Sequence, residues 1–460
     1  MKDLNKPKAN GLALIPFLIF LVIYLGTGIV LQAQGVEMAF YQLPAPIAAL
    51  IAIIFAFIMS KGSMDEKFET FLRGCGDENI IIMCIIYILA GAFSTVSGAM
   101  GGVDSTVNFA LSIIPPQYIT AGIFIIACFI SLATGTSVGT IVAVGPIAVG
   151  LAEKAGLNMA LVIASLIGGA MFGDNLSIIS DTTIAATRTQ NVEMRDKFRL
   201  NFLMALPAAI LSVIVLLIIG KPDIVVAGET YTYNVVKILP YLLVLIAALA
   251  GVNVFVVLTA GIIASGAIGL AYGDFGLIEL GQLIYDGFVG MFEIFLLSML
   301  IGGLAKMVER DGGVQWLLDK IRGMIKGRSS AEIGISALVS LVDCATANNT
   351  VAIIISGPIA KEISTEYKVD PRRSASLLDS FSCVFQGLIP YGAQMLIAIG
   401  FTNGAVSPLE VIPKIWYVFF LAIFAIVSIF VPFTDNVIKK DPWNFEHDKP
   451  MSKLADTVKQ

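Results

Sequence analysis

The sequence predicts an all-α integral membrane protein made of two inverted repeats, each of about five transmembrane helices with one re-entrant hairpin and one broken helix. Three observations carry this prediction. The 460 residues are 57% hydrophobic and 14% charged, whereas soluble domains carry about 25% charged residues. Apolar residues form long runs of helix-spanning length, without the two-residue alternation of a membrane barrel. The order of uninterrupted and interrupted runs in the first half then recurs in the second.

Taken in order, residues 1–10 form a short charged tail, and the apolar run behind it reads as a first spanning helix, not a removed signal peptide. A span needs about 20 apolar residues. The clear ones are 11–31, 43–60, 78–98, 200–220, 236–251, 252–272, 284–304 and 411–432, with a very tight joint near Gly251. Four other stretches, 117–152, 157–190, 333–363 and 374–400, are apolar but interrupted by Gly, Ser, Thr, Asn or Asp. Non-helical backbone at membrane depth is tolerated where protein or a water-filled cavity surrounds it. The four breaks should therefore cluster inside the protein.

Lys and Arg set the orientation. Lys2, Lys6 and Lys8 precede the first span, and Lys61, Lys67 and Arg73 follow the second. Arg188, Arg195, Lys197 and Arg199 form one cluster and Lys306, Arg310, Lys320, Arg322, Lys326 and Arg328 another, with Arg372, Arg373, Lys439 and Lys440 beyond. Segments 32–43 and 99–116 have none. All the clusters fall on one side if 117–152 and 333–363 each enter and leave by one face, as re-entrant hairpins. A pair of short complete crossings would leave the parity unchanged. Both termini, including the 433–460 tail, are then cytoplasmic, in a protein of the cytoplasmic membrane with the lipid bilayer as its surroundings. Repeat one runs 11–220, a loop 221–235 connects, and repeat two runs 236–432 from the opposite side. At an offset of 212, Ala133-Thr134 matches Ala345-Thr346, and Gly145-Pro146-Ile147-Ala148 matches Gly357-Pro358-Ile359-Ala360. Inverted repeats with broken helices place substrate and ion sites near the midplane, at the repeat interface.

Several function classes fall away. A net charge of -5 offers no basic field for nucleic acid. The five cysteines contain no CxxC, so neither a disulfide framework nor a zinc site is supported. His447, the one histidine, lies in the polar tail, which removes a histidine metal site or an intramembrane histidine relay. No Walker GxxxxGK[ST], HExxH or intramembrane triad is present, so the reading is not an enzyme and no cofactor is expected beyond a coupling ion.

The polar constellations sit at the breaks. The first tip is Ala133-Thr134-Gly135-Thr136-Ser137-Val138-Gly139, and the second is Asp343-Cys344-Ala345-Thr346-Ala347-Asn348-Asn349-Thr350. Gly accepts positive φ and Asn tolerates it, so the backbone can turn sharply. The freed carbonyls and hydroxyls are hard oxygen donors suited to a small cation, and the helix starting after each tip aims a positive dipole end inward. The alternative is a kink whose hydroxyls bond the previous turn. Asp174 and Asp181 lie in the broken span 157–190, beside Asn175, Ser177, Ser180, Thr182 and Thr183. Carboxylates at membrane depth are costly, so two beside amide and hydroxyl oxygens point to a cation site in a secondary transporter. In a continuous helix they would share a face about 10 Å apart, and a break at Gly173–Asn175 could aim them differently. The alternative role for Asp174 is a cap on a helix starting near Asn175. A carboxylate that takes Na⁺ or H⁺ in competition gives the simplest chemistry for exchange. In the matching span, Gln386-Gly387 sits where Asp174-Asn175 sits, and Asp343 and Asp379 are the acidic groups. Glu293 stands mid-run in FVGMFEIFLLSML, either functional or hydrogen-bonded to a neighbouring helix.

The run from Gly168, GGAMFGDNLSIISDTTIAATRT, resembles the signature of the NhaC family of Na⁺/H⁺ antiporters, a G-D-x-x-S-x-x-S-D-T-T pattern with Gly173, Asp174, Ser177, Ser180, Asp181, Thr182 and Thr183 in place. The upstream stretch, with Gly135, Thr136, Ser137 and Pro146, is similar too. One departure is Asn175, where many members carry His. The resemblance implies a Na⁺-coupled secondary transporter, with Na⁺/H⁺ antiport first and Na⁺-driven symport or exchange of an amino acid or small carboxylate second. A passive channel fits the two-repeat plan less well. Asp174 and Asp181 would hold the cation and proton, with oxygens from Asn175, Ser177, Ser180, Thr182, Thr134, Gly135, Thr136 and Ser137. Asp343, Thr346, Asn348, Asn349, Thr350, Asp379 and Gln386 would complete the site from repeat two. The partners expected are Na⁺ and either H⁺ or a small organic substrate, and a homodimer is an admissible assembly.

Overall fold

The computed structural model describes residues 7–34, 36, 42–177, 180–222, 232–250, 252–431 and 433–452. Lys2 and Lys6 of the tail, most of the 221–235 loop, Gly251 at the tight joint and the end of the 433–460 tail lie outside the described residues.

The chain is a succession of helices: α1 Ile15–Ala33, α2 Ala45–Met59, α3 Met64–Cys75, α4 Glu78–Ala99, α5 Gly102–Ile113, α6 Ile119–Thr134, α7 Ser137–Ala155, α8 Met159–Leu176, α9 Asp181–Gln190, α10 Met194–Ile219 and α11 Val235–Leu249. It continues through α12 Val254–Tyr272, α13 Leu277–Gly290, α14 Phe292–Arg310, α15 Gly313–Arg322, α16 Arg328–Thr346, α17 Asn349–Glu366, α18 Pro371–Leu388, α19 Ala393–Gly400, α20 Pro408–Val411, α21 Trp416–Phe430 and α22 Asn436–Lys439. A two-stranded ribbon follows, β1 Trp443–Asn444 with β2 Lys449–Pro450. Nine helical stretches among the described residues are long and apolar enough to cross a membrane, or 11 with the bent pairs α13–α14 and Pro408–Lys414 with α21. This is a multi-pass membrane protein. Helices satisfy their own backbone polar groups, which a bilayer cannot. The outer helices carry exposed Leu18, Val22 and Ile29 on α1 and Ile210, Ile214 and Ile218 on α10, the apolar surface that lipid requires.

The interrupted elements pack innermost. α8 is buried along nearly its whole length, as is α18. α8 lies so close to α6 that a Cβ on Gly173 would come within 2.3 Å of Leu132 N and Ser131 Cβ. Gly173 is therefore a packing glycine inside a continuous helix. The expected break at Gly173–Asn175 is displaced: α8 runs through Leu176, and α9 begins at Asp181. Asp174 accordingly does not cap a helix.

Element ends recur at the offset of 212. α6 stops at Thr134 and α16 at Thr346, while α8 stops at Leu176 and α18 at Leu388. α9 starts at Asp181 and α19 at Ala393. Asp104 in the first turn of α5 reaches Lys154 at the end of α7 (3.4 Å), so the exit of α7 lies beside the start of α5. Arg322 at the end of α15 meets Glu362 and Glu366 on α17 (3.0 and 3.6 Å), so the approach to α16 and the exit of α17 lie together.

Not every cationic side chain read as a loop charge is one. Lys197, Arg372 and Arg373 are buried. Arg373 pairs with Glu332 at 2.9 Å and Arg372 with Asp370 at 2.7 Å. Their charges serve the interior and carry no orientation signal.

Candidate ion-binding site

Eight helix ends meet at the centre. α6, α8, α16 and α18 end there, and α7, α9, α17 and α19 begin there. The turn from α6 to α7 is made by Gly135 at φ +69°, and that from α16 to α17 by Ala347 at φ +52°. Thr136 and Asn348 then cap the new helices, their side chains accepting the N–H groups of Gly139 (3.2 Å) and Val351 (3.0 Å). Carbonyl ends favour cations and N–H ends favour anions, so the junction can hold both a carboxylate and a cation.

Between these ends lies a crevice of about 150 Å³. Its wall includes Gly135, Thr136, Ser137, Asp174, Ser180, Asp181, Thr182, Asn348, Asn349, Thr350 and Gln386, so most of the expected oxygens from both halves do converge. Asp174 is the buried carboxylate among them, 4% exposed. Ser137 Oγ donates to its Oδ2 at 2.8 Å and Ser180 Oγ to its Oδ1 at 2.5 Å. One hydroxyl comes from the first tip and the other from the α8–α9 break. Thr182 Oγ1 lies 2.9 Å from Ser180 Oγ. On the other side, Gln394 Nε2 donates to Ser137 Oγ at 3.0 Å, and Gln386 Nε2 to Gln394 Oε1 at 2.6 Å. A continuous polar chain thus runs from α18 to α9 through Asp174.

Asp181 is not a second buried carboxylate. It is exposed at the first turn of α9, on the crevice wall. There it faces the positive end of its helix, where a carboxylate is favoured.

The remaining expected residues lie off the wall. Thr134 and Thr346 shape the tips: Thr134 Oγ1 accepts the Thr136 N–H (3.3 Å), and Thr346 Oγ1 donates to Val342 O (2.9 Å). Ser177 gives its carbonyl to Thr183 Oγ1 at 2.7 Å. Asp343 is fully buried in α16, and its carboxylate oxygens have no partner among the described residues. Glu293 opens the first turn of α14 beyond a 41° bend and lines a different cleft.

Asn175 and Asp379 belong to a layer behind the crevice. Lys197 Nζ lies 2.6 Å from Asp379 Oδ2, both side chains 0% exposed. The same ammonium donates to Asn175 O (2.5 Å) and Thr183 Oγ1 (2.7 Å). Asn175 Nδ2 (3.1 Å) and Asn201 Nδ2 (2.9 Å) donate to Asp379 Oδ2 as well. Lys197 therefore neutralises Asp379 and ties α10 to α8, α9 and α18. Asp174 is left without a salt-bridge partner among the described residues.

Three contributors escaped the sequence reading: Lys197, Asn201 and Gln394. Lys197 and Asn201 are spaced i, i+4 in α10, which puts both on one face. Gln394 sits 212 residues after Thr182, so the repeat offset alone would have nominated it.

The profile of the Na⁺/H⁺ antiporter family matches residues 3–221 and 225–434. The Na⁺/H⁺ antiporter NhaC of Bacillus subtilis is 26% identical over 399 residues, 78% of this chain and 84% of that protein. NhaC of Alkalihalophilus pseudofirmus is 24% identical over 388 residues, 76% and 82% of the two chains. A malate-2H⁺/Na⁺-lactate antiporter of Bacillus subtilis is 22% identical over 445 residues, 88% and 92%. With almost its whole length matched by the profile, the chain belongs to the Na⁺/H⁺ antiporter family.

Proposed function

We propose that the protein exchanges Na⁺ for H⁺ across the cytoplasmic membrane by alternating access, and that the two ions compete for the Asp174 carboxylate. The observation that carries this reading is Asp174 itself: buried, without a salt-bridge partner among the described residues, and held by hydroxyls from two different breaks. Na⁺ takes hard oxygen ligands, and Ser137 and Ser180 can turn their lone pairs to a cation seated on Asp174. A proton on Asp174 would replace that cation charge for charge. Asp181 at the wall gathers cations toward the site. Lys197 keeps Asp379 from competing, so Asp174 is the one buried carboxylate among the described residues of the crevice wall, with Asp181 exposed beside it.

Family membership favours Na⁺/H⁺ exchange over carriage of an organic substrate. The crevice agrees, since no Lys or Arg is among the described residues lining it, leaving no side-chain cation for a substrate carboxylate. The inverted-repeat plan is supported by the recurrence of helix ends at 212. Exposed Lys and Arg near α2–α3 and α14–α15 support cytoplasmic termini.

The test uses purified protein in liposomes. An imposed Na⁺ gradient, with no organic substrate present, should move protons, read by an internal pH dye. Asp174→Asn should abolish this movement. A silent wild-type protein that responds to Na⁺ only with an organic acid or amino acid present would overturn the proposal.

A further inference from the structure

The crevice at Asp174 meets the short helix α19, and so does a second cavity. Ala393 and Gln394, at its N-terminal end, line the crevice. Leu396, Ile399 and Gly400, toward its C-terminal end, line a second cleft of about 240 Å³. Glu293 is an exposed carboxylate in that cleft, and Asn403 faces the same space. α19 has 8 residues, about 12 Å of helix. Met395, Ile397 and Ala398 along it are fully buried. A Cβ on Gly400 would meet Ile294 Cδ1 at 2.7 Å, so α19 is closely seated on α14. A thin apolar wall thus separates two carboxylate-bearing cavities.

The cavities also lie at different depths. Arg310, at the far end of α14, donates to Lys61 O (3.1 Å), just past the end of α2, which marks one face of the protein. Glu293 is about 25 Å along α14 from Arg310. Ala45, which also lines the cleft, is about 20 Å along α2 from that face. The cleft is therefore on the far side. α9 ends at Gln190, whose carbonyl takes Lys361 Nζ (2.9 Å), and the neighbouring Glu362 meets Arg322 on α15, the helix that follows the Arg310 end of α14. Asp181 is about 15 Å up α9 from there.

We infer that the Glu293 cleft is a second cation-binding station, which takes Na⁺ at the face opposite Arg310 and is parted from Asp174 by α19. A carboxylate in a cleft with an amide side chain offers oxygen ligands to a monovalent cation and concentrates it there. Displacement of α19 would join the two cavities into one path. This assignment rests on the proposed Na⁺/H⁺ exchange and adds a place of entry that Asp174 does not supply.

The experiment uses the full chain with its five cysteines replaced and Gly290→Cys introduced, at a cleft position where a Cβ meets nothing within 4 Å and which supplies no ligand. A membrane-impermeant thiol reagent added at the face opposite Arg310 should modify that thiol, and Na⁺ should slow the reaction. Adding Glu293→Gln should remove that protection. In vesicles of defined orientation, Glu293→Gln alone should raise the apparent KM for Na⁺ by about ten-fold from that face, the scale of one lost charged ligand. From the Arg310 face the KM should not change. A wild-type protein that exchanges ions normally while Na⁺ gives no protection, or a Glu293→Gln variant with unchanged KM on both faces, overturns the second station but leaves the Asp174 reading intact. Absence of exchange in the wild type would count against that reading instead.

Discussion

Lys197 and Asp379 are both fully buried and 2.6 Å apart, with Asn175 and Asn201 completing the contacts. Removing one partner of such a pair strands the other charge, at a cost of about 3–5 kcal/mol, whereas replacing both by apolar groups is often neutral. Lys197→Met should therefore lower the thermal unfolding temperature in detergent strongly, and Lys197→Met with Asp379→Leu should recover much of it. If the single variant melts like the wild type, Lys197 is not the tie between α10 and the broken helices. Asp174 was legible in the sequence because a carboxylate flanked by Gly173 and Asn175 stands out in an apolar run. Lys197 was not, because Arg195 and Arg199 on either side made the segment look like a solvated basic patch. Which face of α10 turns inward is decided by packing against α18 and α21, not by local composition.

The two tips solve one geometrical problem with different residues. Gly135 adopts φ +69° at no steric cost, while Ala347, 212 residues later, adopts φ +52° against its Cβ. A left-handed conformation costs an L-residue about 1–2 kcal/mol. Ala347→Gly should thus stabilise the protein by about 1 kcal/mol, and Gly135→Ala should destabilise it by a similar amount. Chemical denaturation of the α16–α17 region, followed by hydrogen exchange, checks the first. Equal stability of both variants would mean that the tips relax. At this scale the sequence revealed the tips and their repetition, through glycine, amides and the shared GPIA. It misplaced the α8–α9 break. A glycine in a helix marks either a kink or a close approach, and Gly173 is the second kind, packed on Ser131 and Leu132. That distinction depends on α6, which a local reading does not see.

Across the whole molecule, the helix ends that recur at 212 follow the order of runs in the sequence, but the tail read as a polar cytoplasmic end folds back as a strap. Asp448 accepts from Lys361 Nζ (2.5 Å) and Asn191 Nδ2 (3.1 Å), and Lys361 also holds Gln190 O (2.9 Å). The tail ribbon therefore grips the far end of α9, the helix whose first turn carries Asp181 and Thr182 at the crevice. Trp443 lies under Lys361 and Arg372, 5.3 and 5.6 Å from its ring. Partial burial pushes the Asp448 carboxyl upward, but hydrogen bonds from Lys361 and Asn191 and the Lys361 charge outweigh it and hold the group below its ordinary range. A carboxyl with a depressed folded-state pKa contributes stability that is complete above its unfolded value and is lost as pH falls through the folded one. The strap should thus stay closed throughout the neutral range and loosen in acid below the ordinary aspartate range. Limited proteolysis of the tail should show constant protection from mildly alkaline to mildly acidic pH in the wild type. Asp448→Asn should be cut faster throughout that range, while the pH at which exchange is half-maximal stays unchanged. Tail cleavage in the wild type that rises in step with exchange activity across neutral pH would instead make the strap part of the pH response.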